Sequence, residues 1–566
     1  MHFSKIFGRR RSVLLAWLLV GSGILGAHND GAADDPTQTQ NDQITALKAA
    51  LAEQQKQLEA LRKTMEQQQK LLEGAMNAQQ TQRPNLGNVA SLSPIVPGSS
   101  PAAVAIPPLA SPKPQRADTS GTSNPCEAGS EGNTVPPYLR LGNVCIVPVG
   151  FLDATTVWRD KNAGSSMGSN FGSVPFNNAV NGNLSEFRFS PQNSRLGLRV
   201  DGDWKGAHFI GYNEFDFNGT SGSSGITVSN GAFVPRLRLF WVDVRKGKIE
   251  FLAGQSWSML TPNRRGISPL PGDLFYSQVI DINYVAGLTW TRQPGMRVLY
   301  HPSEKVTFGL SAEQPDQYIG GSAGGSGITL PTALSTLSGT QLDAANETLA
   351  APTVAPDIIA KVAFDPNAKL HFEVAGIERT FKTVNPSLLT QKFTATGGGV
   401  EVGANFQAFK GVRLITTNFW SDGGGRYLFG QAPDLIVRSD GSLSLVHAGG
   451  TVDGVETTIK NTLLYAYYGG VYIGRDSAND ANGKSLIGYG YTGSPNSQNR
   501  AINELTFGFN QTLWRDPRYG AINVMGQYEW LQRDPWFVAL GSPKATHDST
   551  IYFNVRYTLP GSMPNF

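Results

Sequence analysis

Charged residues recur at even spacings in three successive segments. They are Arg195 and Arg199; Glu214 and Asp216, preceded by Tyr212; and Arg236 and Arg238. Even spacing puts each set on one face of an extended strand. On adjacent strands these arginines would form a basic ladder. Such a ladder concentrates small anions, and each guanidinium can hold a carboxylate through two parallel hydrogen bonds. The competing outcome is structural: Arg236 and Arg238 simply pair with Glu214 and Asp216.

Other reactive patterns are weaker. Residues 164–168 and 320–324 both match G-x-S-x-G, but that motif needs a strand–turn–helix context to present a nucleophile. Both lie in Gly/Ser-rich stretches, so no enzyme activity is expected. Asp480-Ala481-Asn482-Gly483 resembles part of a calcium loop. Ala478 takes its first ligand position and Tyr489 its twelfth, so no metal site is expected. The 7 histidines are scattered, and no cofactor motif occurs. Cys126 and Cys145 are the only cysteines. In an exported chain they are expected to form a disulfide, closing a loop that contributes ~3 kcal/mol in the chain-entropy model.

Composition narrows the class. Glycine supplies 64 of 566 residues and charged residues only 16%, against a usual ~25%. A net charge of +3 argues against a nucleic-acid partner. A mean hydropathy of −0.22 excludes a helical membrane protein and leaves a transmembrane β-barrel open.

The N-terminal third reads as three segments. Lys5 and Arg9–Arg11 precede an apolar run ending at Gly26, so 1–27 is expected to be a secretory signal peptide. Residues 41–80 carry heptads, with Ile44, Leu51, Leu58, Met65 and Leu72 at a, and Leu47, Gln54, Leu61 and Gln68 at d. This predicts a coiled coil whose seam needs partner helices. Residues 81–135 are a Pro-rich linker.

From 136 to 566 the period is two. Short connections near 201–206, 245–248, 301–305, 365–369, 410–411, 460–461 and 516–520 alternate with long ones near 160–185, 218–232, 258–286, 315–355, 384–396, 421–442, 476–500 and 535–547. Seven short and eight long connections join sixteen strands. Loop lengths segregated to opposite ends fit an all-β, sixteen-stranded antiparallel transmembrane barrel better than a soluble sandwich. Parity places Leu237, Leu239 and Trp241 on one face, with Arg236, Arg238 and Phe240 on the other.

Three stretches carry a family resemblance: Pro191–Leu198 (PQNSRLGL), Gly211–Phe217 (GYNEFDF) and Phe251–Ser258 (FLAGQSWS). They resemble the second, third and fifth strands of general Gram-negative porins. Within these the chain is most similar to DcaP-like trimeric porins, which carry an N-terminal helical extension. The resemblance implies a trimeric, water-filled pore in the outer membrane, contacting its lipids, with the extension in the periplasm. It also implies a third external loop folded inward, here 258–286, bearing Arg264, Arg265, Asp273 and Asp281. Arg292 and Arg297 follow that loop and are expected to join the pore lining. One departure stands out: Pro560–Asn565 separates the last clear strand from the terminal Phe566. The expected function is passive diffusion of small hydrophilic solutes, with a preference for small anions such as carboxylates. The alternative is a tether to the cell wall through the coiled coil and linker.

Overall fold

Alternating apolar and polar residues build one continuous antiparallel wall. Its staves are β1 (Val144–Arg159), β2 (Glu186–Ser190 continued by Arg195–Trp204), β3 (Ala207–Gly219), β4 (Val234–Lys246), β5 (Ile249–Trp257), β6 (Arg292–Ser303), β7 (Val306–Glu313) and β8 (Asp357–Asn367). The remainder are β9 (Leu370–Val384), β10 (Lys392–Phe409), β11 (Val412–Asp422), β12 (His447–Ile459), β13 (Thr462–Ile473), β14 (Asn499–Asp516), β15 (Gly520–Pro535) and β16 (Thr546–Thr558). The main sheet has 18 strand segments. Leu139–Leu141 only folds back onto β1, and β2 comprises two segments, which leaves sixteen staves among the described residues. The sheet closes where β1 pairs with both β16 and β2. Closure removes the unpaired edges that an open sheet would expose.

This computed structural model describes residues 138–163, 166–219, 233–276, 278–320, 327–344 and 351–562. In the N-terminal unit, Met1–Leu109, it describes six helical, exposed positions: Lys48, Ala52, Gln55, Lys56, Glu59 and Lys63. None of the six is at an a or d position of the heptads. The seam residues, the signal peptide, Cys126 and Phe566 lie outside the described residues. Cys145 is buried and disulfide-bonded.

All seven short connections fall at one rim and all eight long ones at the other, as the sequence predicts. The chain enters β1 and leaves β16 at the short-turn rim, where Val144 pairs with Gly202 and Thr558 with Ala521. The turn Lys205-Gly206 has φ of 49° and 74°, the two left-handed residues that match strand twist in a tight hairpin. β16 ends at Thr558, and Pro560–Ser562 forms a short 3-10 turn.

The parity expected of β4 needs correction. Its pairing with β3 slips between Glu214–Leu239 and Phe215–Leu237. This bulge gives β4 one extra residue and reverses its faces beyond Arg238. Leu237 is therefore outside at 42% exposure, whereas Leu239 and Trp241 are buried at 0% and 4% and Phe240 is outside at 60%. Alternation holds through much of the wall, as where Val298, Tyr300, Phe308, Leu310, Ile551 and Phe553 face outward while Arg297, Ser311, Thr550 and Asn554 are buried within. Further register shifts fall near strand ends, as at Tyr300/Ser303 and Gln407/Phe409.

Candidate functional site in the barrel lumen

The third long connection, 258–291, leaves β5 and reaches β12 and β13, halfway round the barrel. Arg264 makes a bidentate pair with Glu456 on β12 at 2.9 and 2.7 Å. The Tyr276 hydroxyl donates to the Val452 carbonyl at 2.9 Å. The far end of this loop rests on glycines. A Cβ at Gly469 would lie 2.2 Å from the Ala286 carbonyl oxygen, and one at Gly450 would lie 2.4 Å from that of Gly287. Any side chain at these positions would displace the loop.

A backbone carried into the lumen must find partners for its N–H groups. The wall supplies them. Glu313 accepts from Met259 N at 2.7 Å, Glu373 from Asn263 N at 3.2 Å, and Asp365 from Gly266 N at 3.0 Å. Gln527 accepts from Ile280 N at 2.8 Å and Glu504 from Ala286 N at 2.7 Å. These acceptors stand on β7, β8, β9, β14 and β15, and they fix the loop along its whole course. Sequence reasoning missed them. Their inward parity was legible, as in Phe372-Glu373-Val374, but their partners depend on where the loop lands.

Other long connections pack over the loop. Phe171 and Val174 from the first, and Tyr427, Leu428 and Ile436 from the sixth, share an apolar cluster with Met259 and Leu260. Trp290 stacks on Phe429 with centroids 4.2 Å apart. Arg379 of β9 holds the sixth loop through Asp434 at 2.7 Å and the Gly423 carbonyl at 2.6 Å. Burial pushes the Asp434 carboxyl up to about 6, outweighing the opposing pull of Arg379.

The arginines of β2 to β6 make a different kind of site. Arg236 holds Asp216 bidentately at 3.0 and 2.6 Å. Arg238 donates to Glu214 at 2.6 Å and to Asp216 at 2.7 Å. The Tyr212 hydroxyl donates to Glu214 at 3.2 Å, and Arg195 lies 4.0 Å from the same carboxylate. Arg292 completes the cluster, lying 5.6 Å from the Trp257 ring and 5.8 Å from the Trp290 ring. Four guanidiniums thus share two carboxylates. Arg195 Nε, Arg238 Nη2 and Arg292 Nη1 are buried without a hydrogen-bond partner.

The remaining sequence-predicted residues stand apart from this cluster. Arg199 pairs with Asp201 at 2.8 and 2.7 Å, and Arg265 lies 3.9 Å from Asp365. Arg297 is buried with Nε and Nη2 unpartnered. Asp273 accepts from Ser268 within its own loop at 2.6 Å. Asp281 accepts from Ser169 N at 2.8 Å and from the Tyr552 hydroxyl of β16 at 3.0 Å, so it is engaged away from the arginines. Ser166, from the first G-x-S-x-G stretch, donates to Gln192 at 2.8 Å.

The architecture matches a solved structure: the outer membrane channel DcaP of Acinetobacter baumannii. The match covers 74% of this chain and 98% of that one, at 17% identity and a TM-score of 0.53. The chain has the porin fold. Two further porins align more loosely. The anion-selective porin from Comamonas acidovorans aligns over 73% of this chain and 99% of its own, at 14% identity and a TM-score of 0.40. Salmonella typhi OmpF aligns over 75% and 100%, at 10% identity and 0.41. No protein-family model matches the chain, and no curated protein matches it in sequence. In this fold the arginine cluster stands against the inward loop, with Arg292 5.8 Å from the Trp290 ring.

Proposed function

We propose that the protein is a passive diffusion channel of the outer membrane for small hydrophilic solutes, with a preference for small anions such as carboxylates. The arginine cluster carries this reading: four guanidiniums against two carboxylates leave a positive excess beside the inward loop. Selectivity in a pore follows its width and the sign of the charges lining it. The excess concentrates anions near the loop through its field rather than through direct contact. The heptads of 41–80 support assembly as a homotrimer, with the coiled coil in the periplasm and the Pro-rich linker between it and the barrel. A disulfide between Cys126 and Cys145 would fasten the end of that linker to β1.

Reconstitution of the full chain in planar bilayers tests the channel reading. Stepwise currents closing in groups of three are expected. Folded protein inserted at high copy number without any conductance would refute it.

A further inference from the structure

The arginine cluster touches a set of aromatic side chains that the channel reading does not use. Trp257 ends β5, and Tyr284 and Trp290 belong to the inward loop. Their rings meet one another. Centroids lie 5.5 Å apart for Trp257 and Trp290, 6.0 Å for Trp257 and Tyr284, and 5.1 Å for Tyr284 and Trp290. Two guanidiniums border this group. Arg292 lies 5.6 Å from the Trp257 ring and 5.8 Å from that of Trp290, and Arg238 lies 5.8 Å from the Trp257 ring. Wall and loop therefore share one enclosed cluster of cations and indoles.

Donors in this cluster exceed acceptors. Arg238 Nη2, Arg292 Nη1, Trp257 Nε1 and Trp290 Nε1 are all buried without a hydrogen-bond partner. Arg238 and Trp257 are each 1% exposed and Trp290 is 3% exposed. The neighbouring acids are already engaged. Glu214 accepts from Arg238 and Tyr212, and Asp216 from Arg236 and Arg238. Glu313, two strands beyond Trp257, accepts from Met259 N, Gln293 and Ser311. A buried donor without an acceptor costs about 1–3 kcal/mol, and more when charged. Water would supply an acceptor but no charge, whereas the surplus guanidiniums call for both. Unpaired cationic and indole N–H groups enclosed together are the chemistry that holds a small anion.

We propose that a small inorganic monoanion, of the chemistry of chloride, resides among Arg238, Arg292, Trp257 and Trp290 and ties the inward loop to the wall. Its donors are closed off from the open lumen, so it is a resident ion and not a passing solute. The inference deepens the channel reading and rests on the same arginine surplus. With the ion in place, the four guanidiniums face three negative charges, and one positive charge remains beside the loop.

The test titrates bromide against gluconate at constant ionic strength, with the full-length protein in detergent. Bromide quenches an indole that it touches. The chain has 10 tryptophans, so the readout is the emission lost by the protein less that lost by Trp257→Phe/Trp290→Phe. A saturating loss is expected, and it should vanish in Arg292→Gln. Quenching that never saturates, or that Arg292→Gln leaves unchanged, would overturn the proposal. A second measurement needs no variant: anomalous scattering from crystals of the unaltered protein grown in bromide. A bromide peak touching Arg238 or Arg292 and an indole N–H supports the proposal. A water at that place, or bromide only on the surface, would overturn it. Protein that binds bromide in this way yet carries no current would sink the channel reading and leave the resident ion standing.

Discussion

Two parts of the lumen wall use charge in opposite ways. On β7, β8, β9 and β14, carboxylates point inward and are consumed by the loop they hold: Glu313, Asp365, Glu373 and Glu504 each accept a backbone N–H. On β2 to β6, cations outnumber anions and guanidinium nitrogens are left without partners. The same strand alternation places both sets. The difference lies in what each set meets across the lumen. Acids opposite a backbone become anchors, while arginines opposite too few acids keep a surplus of positive charge, which on the proposed reading is what solutes meet. Counting lumen charges alone would therefore misjudge selectivity.

The comparison can be broken most forcefully at the loop's far anchorage. Gly469→Val puts a side chain where a Cβ already lies 2.2 Å from the Ala286 carbonyl. The loop should leave the wall, and single-channel conductance should rise several-fold while the barrel keeps its heat-modifiable mobility on gels. On the arginine side, Arg238→Ala removes a fully buried partner of Glu214 and Asp216. Asp216 keeps Arg236 and Glu214 keeps Tyr212 and Arg195, so the loss is that of charged hydrogen bonds, about 1.5–3 kcal/mol, and anion preference should fall in reversal-potential measurements. On the carboxylate side, Glu504→Ala leaves the buried Ala286 N–H without its acceptor, a cost of about 1–3 kcal/mol. Chemical denaturation should show that loss, and Glu504→Gln, which keeps an acceptor, should restore most of it.

The smallest effect concerns pH and the sixth loop. The Asp434 carboxyl is raised from 3.8 to about 6 by burial. A raised carboxyl binds its proton more tightly when the loop is docked. Its contribution to docking is therefore full below about pH 4, the ordinary range for an unburied carboxyl. It fades as pH rises through 6. Loop-opening current noise should be lower at pH 5 than at pH 7.5, and Asp434→Asn should flatten that dependence.

Strand number, rim assignment and loop lengths were legible because each depends on local signals. Alternation marks a strand, and pairs such as Lys205-Gly206 mark a turn. The reversal of β4 was not legible, because the bulge is a property of its pairing with β3 and no residue of β4 announces it. The pairing of Arg236 and Arg238 with Glu214 and Asp216 was foreseen as the structural outcome. The surplus that remains around Arg195 and Arg292 needed distances. For Asp281 the loop is legible in the sequence but the partners are not. It stands on the inward loop, and its neighbours, Ser169 and Tyr552, are remote in the chain.

The central claim is that the surplus of guanidinium charge beside the inward loop governs which ions pass. The direct test is the zero-current potential of the full chain in a planar bilayer under a salt gradient, measured beside Arg236→Ala/Arg238→Ala. An anion-selective potential that shrinks in the variant is predicted. A cation-selective potential in the unaltered protein would contradict the account.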